Sequence, residues 1–154
     1  MSKEITITVA DPGMPQAREL LEASHALMES LFPSEANHFL SVEKLAAPHI
    51  DFFLAKDSES ALGCVALADF REYGEVKSMF VAEKARGRGV AEALLSHLMA
   101  VARDRKIPTL RLETGQPGLE AAHRLYERHG FTDCAAFGAY KADAPYSRYM
   151  ELSL

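Results

Sequence analysis

Two groups of residues in this 154-residue chain have types and spacing suited to chemistry. The first is Arg86-Gly87-Arg88-Gly89-Val90-Ala91, at the head of a long apolar-periodic stretch. Glycine lets the backbone approach a ligand closely and tolerates left-handed turns. The first N–H groups of a helix lack intrahelical acceptors, and the helix dipole adds partial positive charge there. Such a turn can cradle a pyrophosphate through its peptide nitrogens, with Arg86 and Arg88 adding two formal charges. The same glycines also suit a strand-to-helix turn that needs them for geometry alone. Other phosphate loops fit poorly. A dinucleotide fingerprint wants a small residue where Glu92 stands, and no Gly-Lys-Ser/Thr occurs.

The second group is Glu75, Lys77, Arg111 and Glu113. Strand alternation places Glu75, Lys77 and Met79 on one face and Val76, Ser78 and Phe80 on the other. On the following strand Arg111 and Glu113 share a face opposite Leu110 and Leu112. Charges clustered on two adjacent strands are unusual where burial is expected. They read either as cross-strand ion pairs on a solvated patch, or as a site in which a glutamate takes a proton and Lys77 or Arg111 holds a substrate carboxylate.

The elements that must position these groups follow from periodicity. Ile5, Ile7 and Val9 alternate with threonines as a short strand, ended by Asp11-Pro12-Gly13. Helical spacing runs from Ala17 to Leu31 and stops at Pro33. Residues 34–48 are irregular, with a short helix predicted around Val42 to Ala47. Strands are predicted at Ile50 to Lys56, Leu62 to Phe70 and Glu75 to Val81, the first two joined by an Asp57-Ser58-Glu59-Ser60 turn. A helix from Gly89 to Lys106 carries Val90, Leu94, Leu98 and Val101 along one stripe. A strand at Thr109 to Glu113 follows, then a helix from Pro117 to His129 closed by Gly130. Strands near Asp133 to Phe137 and Tyr149 to Leu154 complete the chain. An antiparallel meander leading into a strand-helix-strand crossover predicts one α/β (α+β) domain over residues 1–154 with a mixed sheet.

Composition narrows the function classes. Apolar residues make up 48% and charged residues 25%, which fits a soluble globular protein. Lys plus Arg is 17 against 22 for Asp plus Glu, a net charge of -5, so a broad nucleic-acid-binding surface is not expected. No apolar run approaches the roughly 20 residues of a membrane span. Met1-Ser2-Lys3-Glu4 runs into the first strand without a signal-peptide core. Cys64 and Cys134 are far apart, which fits a reduced, cytoplasmic protein in which both are inert strand residues. His25, His38, His49, His97, His123 and His129 lack metal-ligand spacing, so no metal is expected.

Two stretches carry a resemblance. Lys84-Ala85-Arg86-Gly87-Arg88-Gly89 is similar to the Gln/Arg-x-x-Gly-x-Gly/Ala motif of the GNAT superfamily of acyl-CoA N-acyltransferases, with Lys84 at the usual Gln or Arg. Ala122-His123-Arg124-Leu125-Tyr126-Glu127-Arg128-His129-Gly130-Phe131 resembles that family's Ala-x-x-Leu-Tyr-Glu-x-x-Gly-Phe. The match covers about residues 74 to 137. Gly74-Glu75-Val76-Lys77-Ser78-Met79 and Leu112-Glu113-Thr114-Gly115 look like a branch of small bacterial N-acetyltransferases.

The resemblance implies a twisted, mostly antiparallel sheet of about 6–7 strands flanked by about four helices. Its central parallel pair would splay to admit acetyl-CoA. It further implies that main-chain groups of Phe80 and Val81 pair with the pantetheine arm. The amides from Arg86 through Gly87, Arg88, Gly89 and Val90 to Ala91 would hold the pyrophosphate. Tyr126 matches the family tyrosine that protonates the departing thiolate; outside that match it reads as a core tyrosine. Leu119 replaces an asparagine that often contacts CoA. An amine of pKa about 10 must lose a proton near neutral pH, at a cost of about 4 kcal/mol. Glu75 aligns with a base position in several members, and Glu113 is the other candidate.

Residues around Glu35 and His38 fall where the family builds its acceptor site, and Tyr140, Tyr146 and Arg148 lie in a loop bordering it. The expected reaction moves acetyl from acetyl-CoA directly to a primary amine of a small molecule or amino acid. The competing expectation is a non-catalytic acyl-CoA sensor. Dimers are common among similar proteins, which leaves a homodimer open.

Overall fold

The computed structural model describes residues 4–154. Met1, Ser2 and Lys3, part of the N-terminal reading above, lie outside the described residues. Among the described residues seven strands form one sheet: β1 Thr6–Val9, β2 Ile50–Lys56, β3 Ala61–Asp69, β4 Gly74–Val81, β5 Thr109–Gly115, β6 Thr132–Asp133 and β7 Ser147–Ser153. Their order is β1-β2-β3-β4-β5-β7-β6, antiparallel throughout except for the parallel β4–β5 pair. Four α-helices of the described residues flank it: α1 Pro15–Leu31, α2 Val42–Leu45, α3 Val90–Asp104 and α4 Glu120–Arg128. The expected mixed, mostly antiparallel sheet with four helices is the architecture observed.

Both faces of the central strands are covered. On one face Phe53, Val65, Leu67, Leu110, Leu112 and Met150 pack beneath Leu94, Leu95 and Leu98 of α3. On the other, Phe52, Leu54, Cys64 and Ala66 pack beneath Ala17, Leu20 and Leu21 of α1 and Leu45 of α2. Double coverage explains why β2 and β3 read as near-continuous apolar runs. Over β5 and β7 the 134–146 loop covers the second face, through Phe137 and Tyr140 against Tyr149.

Two features of β4 create the site. Its pairing with β5 is confined to Gly74 with Leu110 and Glu75 with Arg111, after which the strands diverge. A bulge then sets Ser78 and Met79 opposite Val65 alone, with Ser78 at φ 55. A bulge bends its strand and re-aims the residues beyond it. It also breaks the alternation expected from sequence. Val76, Met79 and Val81 share the α3 face, whereas Phe80 joins the opposite face with Cys64. Met79 is therefore on the face away from Glu75 and Lys77.

Two boundaries differ most from expectation. The last helix begins at Glu120 rather than Pro117, because Gly118 has φ 114 and Leu119 is not helical. The strand expected at Asp133 to Phe137 shrinks to Thr132–Asp133. Cys134 is consequently half-buried beyond a strand end, not a core residue like Cys64.

Candidate active site

The turn into α3 is built as the glycine pattern demands. Gly87 and Gly89 have φ 82 and 76, in the left-handed region where a side chain is strained. A Cβ on either would meet nothing within 4 Å, so the glycines serve backbone conformation and leave open space outside the turn. Arg86 N–H donates to Glu83 O at 3.3 Å, which removes it from the set of amides expected to point outward. Among the described residues no acceptor is found for the amides of Gly87, Gly89, Val90 and Ala91. Arg88 turns aside: its guanidinium pairs with Asp57 at 3.1 Å in the β2–β3 turn. That carboxyl, which also accepts from the Glu59 and Ser60 amides, is held down at about 2, chiefly by those two amides.

A cavity of about 670 Å³ starts at this turn and runs through the gap between β4 and β5. Arg86, Gly87, Gly89, Val90 and Ala91 line one end. Phe80 and Val81 line its course, with Gly63 and Cys64 of β3 as their partners on the other side. Glu75, Lys77, Glu113, His38 and Tyr126 also line it. Of the residues expected to act, Arg88, Glu35 and Arg111 are not among the lining. Arg111 instead reaches Glu151 at 3.4 Å and lies over the Tyr73 ring at 4.9 Å. Glu35 sits in a 3-10 turn, Ser34–Ala36, accepting from its neighbour Ser34.

The other end is built from side chains. Glu75 Oε2 accepts from Lys77 Nζ at 3.0 Å and from the Tyr140 hydroxyl at 2.5 Å. Lys77 Nζ also donates to the Tyr140 hydroxyl at 2.9 Å, closing the trio. His38 packs edge-on against Tyr140 at 5.3 Å, so the 34–41 and 134–146 segments meet here. Burial and the neighbouring Glu75 and Glu113 charges raise the Tyr140 phenol. Glu113 accepts from Ser147 Oγ at 2.7 Å. Burial raises its carboxyl, opposed by that hydroxyl and by the nearby His38 and Lys77.

Tyr126 approaches from the other side of the sheet, on α4 against Phe131. The gap between β4 and β5 lets it line the same cavity as the carboxylates. Burial, with the Glu113 charge beside it, raises its phenol well above the usual range and keeps it protonated. Cys64 is buried, and burial pushes its thiol up to about 12, which leaves it unreactive. Leu119, where the resemblance led one to expect asparagine, lines the cavity just before α4. Among the described residues no cluster of three or more His, Cys, Asp and Glu is placed to hold a metal. No described helix is long and apolar enough to cross a membrane.

An open wedge between parallel strands, entered past a glycine turn and a helix N-terminus, is the arrangement the motif resemblance implied. The Acetyltransferase (GNAT) family model matches residues 16–131. The chain belongs to this family. Among GNAT relatives, it is 39% identical to the uncharacterized N-acetyltransferase YedL of Escherichia coli K12, over 97% of this chain and 94% of that one. It is 38% identical to an IAA acetyltransferase of Azospirillum brasilense, over 97% and 98%. A crystal structure assigned as an acyl-CoA N-acyltransferase of Klebsiella pneumoniae superposes with TM-score 0.81 at 32% identity, covering 99% of both chains. The protein is thus a GNAT acyltransferase.

Proposed function

We propose that the protein transfers acetyl from acetyl-CoA directly to a primary amine of a small molecule. The observation that carries this is a single cavity joining the α3 N-terminus to Glu113, Glu75 and Tyr126. The names of the relatives, N-acetyltransferases and an acyl-CoA N-acyltransferase, support the donor. One relative is named for the small molecule IAA, which supports a small acceptor.

In this reading the Gly87, Gly89, Val90 and Ala91 amides hold the diphosphate, and the pantetheine arm lies along Phe80 and Val81. Peptide N–H groups at the splay polarise the thioester carbonyl. The amine nitrogen attacks that carbon while its proton passes to a carboxylate. Glu113 is better placed for this than Glu75. Glu75 Oε2 is already shared by an ammonium and a phenol, whereas Glu113 has one neutral donor and a raised affinity for protons. As the C–S bond breaks, charge gathers on sulfur. Tyr126 is a weaker acid than a thiol of pKa about 8.5. It therefore acts by donating a hydrogen bond to the departing thiolate.

The test pairs two measurements on the full chain. Thiol release from acetyl-CoA is followed across a panel of amines, and the thermal midpoint is measured with and without CoA. Amine-dependent release is expected, with a midpoint raised by CoA. Stabilisation by CoA with no turnover on any amine would favour a sensor.

A further inference from the structure

We infer that the acceptor is a primary amine with an apolar body and no carboxylate, seated between Glu113 and a wall formed by Met28, Phe32 and Phe39. The inference rests on the amine-transfer reading above and names its substrate class.

The charges at this end of the cavity decide it. Lys77 is the ammonium there, and it is already matched by Glu75, at 3.0 Å, and by Tyr140. Arg111, the other cation expected to hold a carboxylate, lies outside the cavity lining, paired with Glu151. The arginines that do line the cavity are at the far end. Arg128 pairs with Glu92 of α3, and Arg86 is in the turn before that helix. His38 is the remaining basic side chain, packed on Tyr140 and close enough to Glu113 to affect its charge. An acceptor carboxylate here would meet two carboxylates, Glu75 and Glu113, against one ammonium already in use. Like-charge juxtaposition is a strong bar to binding, and a buried unpaired charge is another. A protonated amine meets the opposite situation: its charge is drawn to Glu113.

The walls fix the rest. Met28 and Phe32 lie four residues apart on one face of α1 and the residue after it, and both line the cavity. Phe32 lies so close to Gly115 that a Cβ there would collide with the ring, so the ring is seated at the end of β5, beside Glu113. Phe39 lines the cavity next to His38 and stacks on His25 at 4.0 Å. An apolar group binds such a surface and a polar one gains nothing from it.

The experiment uses the full chain and acetyl-CoA with matched acceptors, 2-phenylethylamine against phenylalanine and 3-methylbutylamine against leucine, and with ethanolamine as a small polar amine. The expected kcat/KM of each amine exceeds that of its amino acid at least tenfold, and 2-phenylethylamine exceeds ethanolamine by a similar factor. An amino acid equal to or better than its amine would overturn the inference and leave amine transfer standing. Ethanolamine equal to 2-phenylethylamine would overturn the apolar wall. Turnover of none of them, with CoA still raising the thermal midpoint, would overturn the amine-transfer reading and this inference together.

Discussion

The two ends of the cavity are made of different material. At the α3 turn the groups proposed to work are peptide nitrogens, while Arg86 lines the cavity and Arg88 pairs with Asp57. At the Glu113 end the proposed work belongs to side chains from α1, the 34–41 segment, β4, β5, the 134–146 loop and β7. A ligand common to many enzymes can be held by groups every residue possesses. A ligand particular to one enzyme needs groups that differ from one protein to the next. The contrast predicts that substitutions at the two ends separate cleanly into effects on the donor and effects on the acceptor.

The largest separation is expected at Glu113. Glu113→Gln should lower kcat with the amine by roughly 10²–10⁴, the range for losing a general base, while acetyl-CoA affinity stays unchanged. Stability should move the other way. A carboxyl whose proton affinity is raised by folding makes the folded state less stable as pH rises from 4.5 through its folded value. At pH 7 the glutamine removes that penalty, so the thermal midpoint should be equal or higher. A lowered midpoint with retained kcat would make Glu113 structural and return the base role to Glu75.

Gly89→Ala tests the other end. The new methyl meets nothing within 4 Å, so its cost is the left-handed φ of 76. That strain, of order 1 kcal/mol, should appear as a small loss of stability or a reshaped turn. The KM for acetyl-CoA should rise about tenfold, with the amine's KM unchanged. A change confined to the amine would mean that the turn does not hold the donor.

How much of this was legible in sequence follows the same division. The Gly87–Gly89 turn, α3 and Tyr126 are local in the chain, and their glycines, apolar stripe and helix motif are each visible within about a dozen residues. The bulge at Ser78 left no mark, because serine there adopts φ 55 without a glycine to announce it. It reversed the faces of Met79 and Phe80. Ser147 was not anticipated either. Its bond to Glu113 depends on the register of β5 with β7, in which Gly115 faces Ser147, and those strands are separated by α4 and a long loop. Met28 carried a signal that pointed elsewhere. It belongs to α1's apolar spacing and reads as core, yet it lines the cavity. Arg111 was legible as a charge but not as one committed to Glu151 and an aromatic cover.

A smaller effect is expected at Tyr140, whose hydroxyl joins Lys77 to Glu75 and whose ring bears on His38. Tyr140→Phe removes the 2.5 Å donor to Glu75 and leaves the ring contacts. A lost hydrogen bond to a charged group is worth about 1.5–3 kcal/mol, and Lys77 retains part of it. The amine's KM should rise about fivefold while the KM for acetyl-CoA holds. An equal rise in both would show that the 134–146 loop bears on the donor as well, and the two ends would not act independently.

The smallest predicted change is the most diagnostic of which carboxylate takes the proton. Ser147 stabilises the charged form of Glu113, so it opposes the upward pull of burial. Ser147→Ala should raise that proton affinity further. The acidic limb of kcat/KM for the amine reports the base of the free enzyme. It should therefore move to higher pH, by up to about one unit, since a unit corresponds to 1.36 kcal/mol and the lost bond is of that order. The plateau above the limb should stay within a few-fold of the parent, because Glu113 is still present and ionised there. If the base were Glu75, which no bond from Ser147 touches, the limb would stay where it is.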